Sequence, residues 1–190
     1  MRIKICGITR PEDARYAEEA GADAIGVVLF SASKRSVTPA RAQEIFRKVG
    51  PFTATVAVTH TQSRSDLDEI IALHPSAIQI SHAFVFDRPP GPKIIRVIAR
   101  GGRLPEDCAA VIVDESHGGG KKFDLGHARE TVKRSRVPVI LAGGLTPENV
   151  GRAIREVRPY AVDVASGVEI SPGIKDHEKI QAFIAANRSV

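Results

Sequence analysis

Apolar and polar residues alternate along this chain in two rhythms, one of period two and one of period near 3.6, and the pair of rhythms repeats. Arg2 to Cys6 sets Ile3 and Ile5 between Arg2, Lys4 and Cys6, the period that suits a short strand. Gly7 then permits a tight turn. Thr9 and Glu12 have the spacing of a capping box with Pro11 in the first turn, which predicts a helix over 10–20 closed by Gly21. Ala24 to Leu29 runs apolar without alternation, as a strand covered on both faces does. After a polar loop, Thr38 and Pro39 open a second helix whose Ala42, Ile45, Phe46 and Val49 fall at i, i+3, i+4 and i+7, and Gly50-Pro51 stops it.

The same reading predicts strands at 52–58, 77–80, 93–97, 109–113, 137–141 and 161–164. It predicts helices at 65–73, 125–135 and 146–157, the last capped by Thr146-Pro147, and a final amphipathic helix from Asp176 with Ile180, Phe183 and Ile184 inward. Between 81 and 109 the rhythm is compressed. Pro89, Pro90, Pro92, Gly101, Gly102 and Pro105 leave two connections near the minimum for a parallel crossover, too broken to hold full helices. Eight strands, each followed by a helix or a stunted connection, predict one domain over 1–190: a (β/α)8 barrel with helices 4 and 5 shortened or missing. At 190 residues the chain falls just under the roughly 200 usual for that fold, a deficit the two trimmed units account for. The competing architecture is an open, doubly wound sheet.

Composition narrows the class. With 43% apolar and 26% charged residues the chain is an ordinary globular sequence, and no run approaches the roughly 18 apolar residues of a membrane span, so the expected location is the cytoplasm. Cys6 and Cys108 form no close-spaced pair, which argues against a zinc site or a disulfide framework and for reduced thiols; no metal is expected. A net charge of +5 raises the question of nucleic acid, but the basic residues are dispersed and Trp is absent, so no stacking platform is evident. An excess of positive charge equally favours encounter with a small anionic substrate.

The candidate chemistry gathers at strand ends. Leu141-Ala142-Gly143-Gly144-Leu145 and Val162-Asp163-Val164-Ala165-Ser166-Gly167-Val168-Glu169 are the loops after strands seven and eight, where barrels of this kind frequently hold phosphate on backbone N–H groups. Val111-Ile112-Val113-Asp114 is an apolar strand that ends in a carboxylate, a position that reads as catalytic. Cys6 ends strand one. A lone cysteine is more often a small buried hydrophobe, but this one shares its barrel end with Asp114 and the glycine loops. Cys108 precedes a strand without such company and is read as structural.

These motifs resemble, in order, the phosphoribosylanthranilate isomerases of tryptophan biosynthesis. The matching segments are Lys4 to Thr9, Gly21 to Gly26, Ser33-Lys34-Arg35, Gly118-Gly119-Gly120-Lys121-Lys122-Phe123-Asp124, Leu141 to Leu145 and Val162 to Glu169. The resemblance implies a cofactor-free barrel that carries out an Amadori rearrangement of a phosphorylated small molecule, as a monomer or homodimer. It implies Cys6 as general base and Asp114 as general acid, Arg35 on the anthranilate carboxylate, and Asp163, Gly143, Gly144, Ser166 and Gly167 as substrate-binding residues. The chemistry asks that the acid be protonated near neutrality, hence a raised pKa at Asp114, and that cationic charge such as Lys4 help a thiol that is otherwise mostly protonated. An aminoaldose isomerase of the histidine pathway is the rival enzyme, but it uses two aspartates; a phosphate-sensing module without catalysis is the rival of another class.

The middle of the chain departs from that family. Gln79-Ile80-Ser81-His82 stands where Gln-Leu-His-Gly is usual, so His82 receives no role; Arg96 stands where lysine is common and is kept as a possible substrate contact. His60 and His117 are read as surface histidines. The stunted units leave the outer face of strands four and five short of apolar cover. Either the Phe84-Val85-Phe86 loop or a second copy of the chain is expected to supply it.

Overall fold

In strand β1 (Arg2–Cys6) Ile3 and Ile5 pack outward among helix residues, while Lys4 and Cys6 point into the interior of a closed sheet. The other barrel strands are β2 (Ala24–Leu29), β3 (Ala54–Thr59), β4 (Ala77–Ile80), β5 (Lys93–Ile98), β6 (Ala110–Asp114), β7 (Val139–Ala142) and β8 (Ala161–Val164). The computed structural model describes residues 1–86, 89–98, 102, 104–105, 107–114 and 125–190. All eight strands pair in parallel, each with its neighbours in sequence. β1 closes the circle by pairing with both β2 (Cys6 opposite Gly26) and β8 (Lys4 opposite Asp163). The doubly wound alternative is excluded by that closure, since an open sheet leaves its first and last strands unpaired.

Around the barrel run α1 (Pro11–Ala20), α2 (Pro39–Phe46), α3 (Arg64–Ala72), α4 (Leu125–Arg134), α5 (Val150–Val157) and α6 (His177–Arg188). Three local readings need correction. Thr9 does not cap α1: Arg10 holds the N-cap position without a side-chain bond, and the Thr9 hydroxyl instead donates to Gly173 O at 2.5 Å. Thr146 does not open α5, because Pro147 to Asn149 form a turn and the helix begins at Val150, with the Thr146 N–H donating to Asn149 Oδ1 at 2.9 Å. The seventh strand starts at Val139, two residues later than the apolar run, because the Ser135 hydroxyl donates to Val137 O at 2.7 Å and holds that residue in the preceding turn. Ser63, Thr38 and Asp176 do cap their helices with side-chain oxygens.

Among the described residues no helix lies between β4 and β5 or between β5 and β6. The outer face of those strands is covered by Phe84, which is 7% exposed and packs in the same cluster as Ile78, Ile80, Ile94 and Ile98, with Phe86 half-buried beside it. Val85 between them is 79% exposed. Arg96 fastens the arrangement. Its side chain points outward, donating to Phe84 O at 3.0 Å and to Asp107 Oδ2 at 2.8 Å, so it ties both trimmed connections to β5. That placement removes Arg96 from the substrate contacts: an even-numbered residue of β5 faces away from the barrel interior, where Ile95 and Val97 lie. The stretch Ser116 to Asp124, including His117, lies outside the described residues.

Because Phe84 replaces a helix as apolar cover, Phe84→Ala should lower unfolding stability by about 3 kcal/mol, the usual scale for emptying a buried phenylalanine site, while Val85→Ala should change it by less than about 0.5 kcal/mol. Urea unfolding of the two variants measures this, and equal losses would contradict the assignment.

Candidate active site

The carboxyl ends of the strands form a cavity of about 600 Å³, lined by Cys6, Val28, Arg35, Val58, His60, Gln79, Ser81, Asp114, Gly143, Gly144, Asp163 and Ser166, among others. A larger groove of about 840 Å³ lies outside the barrel beside β5, lined by Phe84, Phe86, four prolines and Arg96. The mouth is the better site despite its size, because the acidic, basic and glycine-loop residues that the sequence singles out converge there and not on the groove. Cys6 and Asp114, 108 positions apart in sequence, open onto it from β1 and β6.

Each wall has a local cause. Lys4 lies beneath Cys6, 4% exposed, with its ammonium donating to Asp163 Oδ1 at 3.0 Å and Gln79 Oε1 at 2.9 Å. Three strands, β1, β4 and β8, are thereby joined through the barrel's interior. Room for this comes from Gly26, where a β-carbon would stand 2.8 Å from Cys6 Sγ and 2.9 Å from Lys4 Cε. Burial works to lower Lys4, but Asp163 and the nearby Cys6 outweigh it and hold the ammonium above its ordinary value. Asp163 is itself pushed up by burial, with Lys4 opposing. For Cys6 burial dominates: it raises the thiol, Asp163 adds to the rise, and the attraction of Lys4 and Lys175 recovers only part. The cationic help expected from the sequence is present, but burial outweighs it.

Arg35 stands on the loop after β2 and is held from behind. Its Nε and Nη2 donate to the two oxygens of Glu169 at 2.9 and 2.6 Å, a bidentate pair. Glu169 also accepts from Lys175 Nζ at 2.9 Å and from the Gly173 N–H at 3.1 Å. Burial alone would raise the Glu169 carboxyl, but Arg35 and Lys175 bring it below its usual range. The approach of Arg35 depends on Gly7, whose φ of 74° and a would-be β-carbon 2.6 Å from Arg35 Cδ both require glycine. Glu169 and Lys175 had no assigned role in the sequence reading. Glu169 ends a recognised motif, but nothing in the pattern pairs it with an arginine 134 positions earlier.

The two glycine loops touch. Gly143 and Gly144 have φ of 92° and 62°, and Asn149 braces them by donating from Nδ2 to Gly144 O at 2.9 Å. A β-carbon on Gly167 would overlap the carbonyl oxygen of Leu145, so the loop after β8 fits against the loop after β7 only as glycine. Ser166 to Val168 form a single 3₁₀ turn at this contact. The structure thus brings Cys6, Asp114, Arg35, Asp163, Gly143, Gly144 and Ser166 around one cavity, with Gly167 at the seam behind it. His60, read as a surface histidine, also lines the cavity, with Nδ1 3.2 Å from Ser81 Oγ. His82 is exposed outside it, edge-on to Phe84.

Comparison with known proteins places the chain in a family. The family model for N-(5'-phosphoribosyl)anthranilate (PRA) isomerase matches residues 3–83 and 100–186, leaving only 84–99 unmatched between them, the region where the connection after β4 is trimmed. A relative from Methanoregula boonei described as N-(5'-phosphoribosyl)anthranilate isomerase is 67% identical over 189 residues, which cover 99% of this chain and 97% of that one. Among solved structures, a phosphoribosyl anthranilate isomerase in complex with reduced 1-(o-carboxyphenylamino)-1-deoxyribulose 5-phosphate superposes with a TM-score of 0.81 at 33% identity, covering the whole of both chains. Monomers generated from the dimeric Thermotoga maritima enzyme superpose equally well, with a TM-score of 0.81 at 32% identity over 100% of both chains. A model that spans nearly the full length, joined to two-thirds identity along both chains, leads to one conclusion: the chain belongs to the N-(5'-phosphoribosyl)anthranilate isomerase family.

Proposed function

We propose that the chain isomerises N-(5'-phosphoribosyl)anthranilate to 1-(2-carboxyphenylamino)-1-deoxyribulose 5-phosphate, the Amadori step of L-tryptophan biosynthesis, with Cys6 as general base and Asp114 as general acid. The observation that carries this reading is that a thiol and a carboxyl group from β1 and β6 line one cavity, and the wall between them is a pair of touching glycine loops. The protonated Asp114 carboxyl donates to the ribose ring oxygen as the C1′–O bond breaks, and the nitrogen lone pair closes an iminium. The Cys6 thiolate then removes the proton from C2′, and the electrons of that C–H bond neutralise the iminium to give the enolamine, which tautomerises to the aminoketose. Cys6 forms no bond to carbon, and every proton is accounted for by the two side chains and water.

The remaining roles follow from position. Gly143, Gly144, Ser166 and Gly167 present backbone N–H groups to the phosphate. Arg35 has given Nε and Nη2 to Glu169 and offers Nη1 to the anthranilate carboxylate. Asp163, whose Oδ1 accepts from Lys4, offers its second oxygen to a sugar hydroxyl. We place the enzyme in the cytoplasm as one domain over residues 1–190, acting as a monomer or homodimer; no described helix is long and apolar enough to cross a membrane.

Cys6→Ser and Asp114→Asn should each reduce kcat by about 10²–10⁴-fold while the reduced product analogue still binds within a few-fold of the parent, as read by steady-state kinetics and calorimetry. Near-normal turnover in either variant defeats the assignment, and rescue of a tryptophan auxotroph lacking this isomerase tests the pathway. Because burial raises the Cys6 thiol, its thiolate should form above the ordinary thiol value of about 8.5, as read by ultraviolet absorbance of the thiolate in a Cys108→Ser variant. A thiolate already fully formed at neutrality would contradict that environment. Gly167→Ala must separate the two loops, and inorganic phosphate should inhibit that variant at least about tenfold more weakly, a shift visible in competitive inhibition constants.

A further inference from the structure

The histidine that the sequence left on the surface stands at the place where the aromatic end of the substrate must lie. Resting on the function proposed above, we infer that His60 is a substrate-binding residue that donates from Nε2 to the anthranilate carboxylate, oriented by Ser81.

The first support is topological. In the closed order of eight strands, β3 and β4 lie diametrically across the mouth from β7 and β8. A ligand whose phosphate rests on the glycine loops after β7 and β8, and whose sugar lies between Cys6 and Asp114, carries its arylamine toward the opposite rim. His60 follows β3 and Ser81 follows β4, and both line the cavity.

The second support is the composition of that rim. A carboxylate has two oxygens, each able to accept more than one hydrogen bond, and Arg35 has given two of its five N–H groups to Glu169. Of the other polar side chains lining the cavity on that half, Gln79 is drawn to the floor by the Lys4 ammonium on its oxygen, and Ser33 stands beside Arg35, its Oγ accepting from the Arg35 backbone N–H at 3.2 Å. His60 is the next polar group round the rim from Arg35. Its neighbours on the wall, Val28, Val58 and Val97, are apolar and suit the face of a benzene ring.

The third is orientation. His60 Nδ1 and Ser81 Oγ are 3.2 Å apart. When the Ser81 hydroxyl donates to Nδ1, the ring proton resides on Nε2, the nitrogen on the far side of the ring from Ser81, which makes that edge a donor to an anion. Ser81 is thus a positioning residue: it sets the tautomer and ring angle without touching substrate.

The test compares two ligands: the reduced product analogue, reduced 1-(o-carboxyphenylamino)-1-deoxyribulose 5-phosphate, and its counterpart without the ring carboxylate. By calorimetry, His60→Ala should weaken the carboxylated ligand about tenfold or more, as loss of a hydrogen bond to a charged group does, and the decarboxylated one by less than about twofold. His60→Gln, which keeps a donor, should recover part of the loss. Ser81→Ala should give a smaller loss confined to the carboxylated ligand. In turnover the His60→Ala defect should fall mainly on KM, with inhibition by inorganic phosphate unchanged. Equal losses for both ligands, or a loss below twofold for the carboxylated one, overturn the inference. A parent enzyme that neither turns over the substrate nor binds either analogue would instead overturn the functional reading beneath it.

Discussion

An ammonium group held inside a closed barrel is the constraint on which the mouth depends. Lys4 sits 4% exposed, and moving its charge from water costs several kcal/mol unless partners repay it. Asp163 supplies the opposite charge at 3.0 Å and Gln79 a neutral oxygen at 2.9 Å, one from an adjacent strand and one from across the barrel. The pair fixes the floor of the cavity. It also sets the electrostatics above it, since Cys6 lies in the field of Lys4 and Asp163 at once, with burial added. Gly26 is part of the same constraint, because any side chain there would collide with both the lysine stem and the sulfur.

A second buried network backs the rim. Arg35, Glu169, Lys175 and the Gly173 N–H form a chain of charge-assisted bonds that ties the loop after β2 to the segment after β8, on either side of β1. Its effect is to freeze a guanidinium that would otherwise wander on a polar loop, and to limit how many of its donors a ligand can claim. Both networks cross the seam where the first and last strands meet. Barrel closure and site geometry therefore rest on the same residues.

The opposite side of the barrel is built more cheaply. What strands β4 and β5 require on their outer face is apolar cover, and a helix is only one way of supplying it. Phe84 with Phe86 provides the apolar atoms, and Arg96 provides hydrogen bonds that hold an irregular backbone in place. The cavity at the mouth does not depend on those helices, because Cys6, Asp114 and the glycine loops that line it come from β1, β6, β7 and β8. That is why the chain tolerates trimming there.

The sequence by itself determined the repeating strand-and-helix order, the two compressed connections, the glycine loops and the placement of Cys6 and Asp114 at strand ends, because each is written in local periodicity, turn residues or strand ends. Even so, Thr9 and Thr146 were read as caps, whereas a partner 164 positions away drew the Thr9 hydroxyl to Gly173 O and a local turn placed the Thr146 N–H on Asn149 Oδ1. Only the folded chain decided what depends on pairs distant in sequence: the Lys4–Asp163 bridge, the Arg35–Glu169 fork, the outward turn of Arg96 and the arrival of His60 beside Ser81. A one-residue choice of face separates Arg96 outside the barrel from Val97 inside it, and only closure of the sheet fixes which face is which. Periodicity records that a residue alternates; it carries no information about which group waits on the other side.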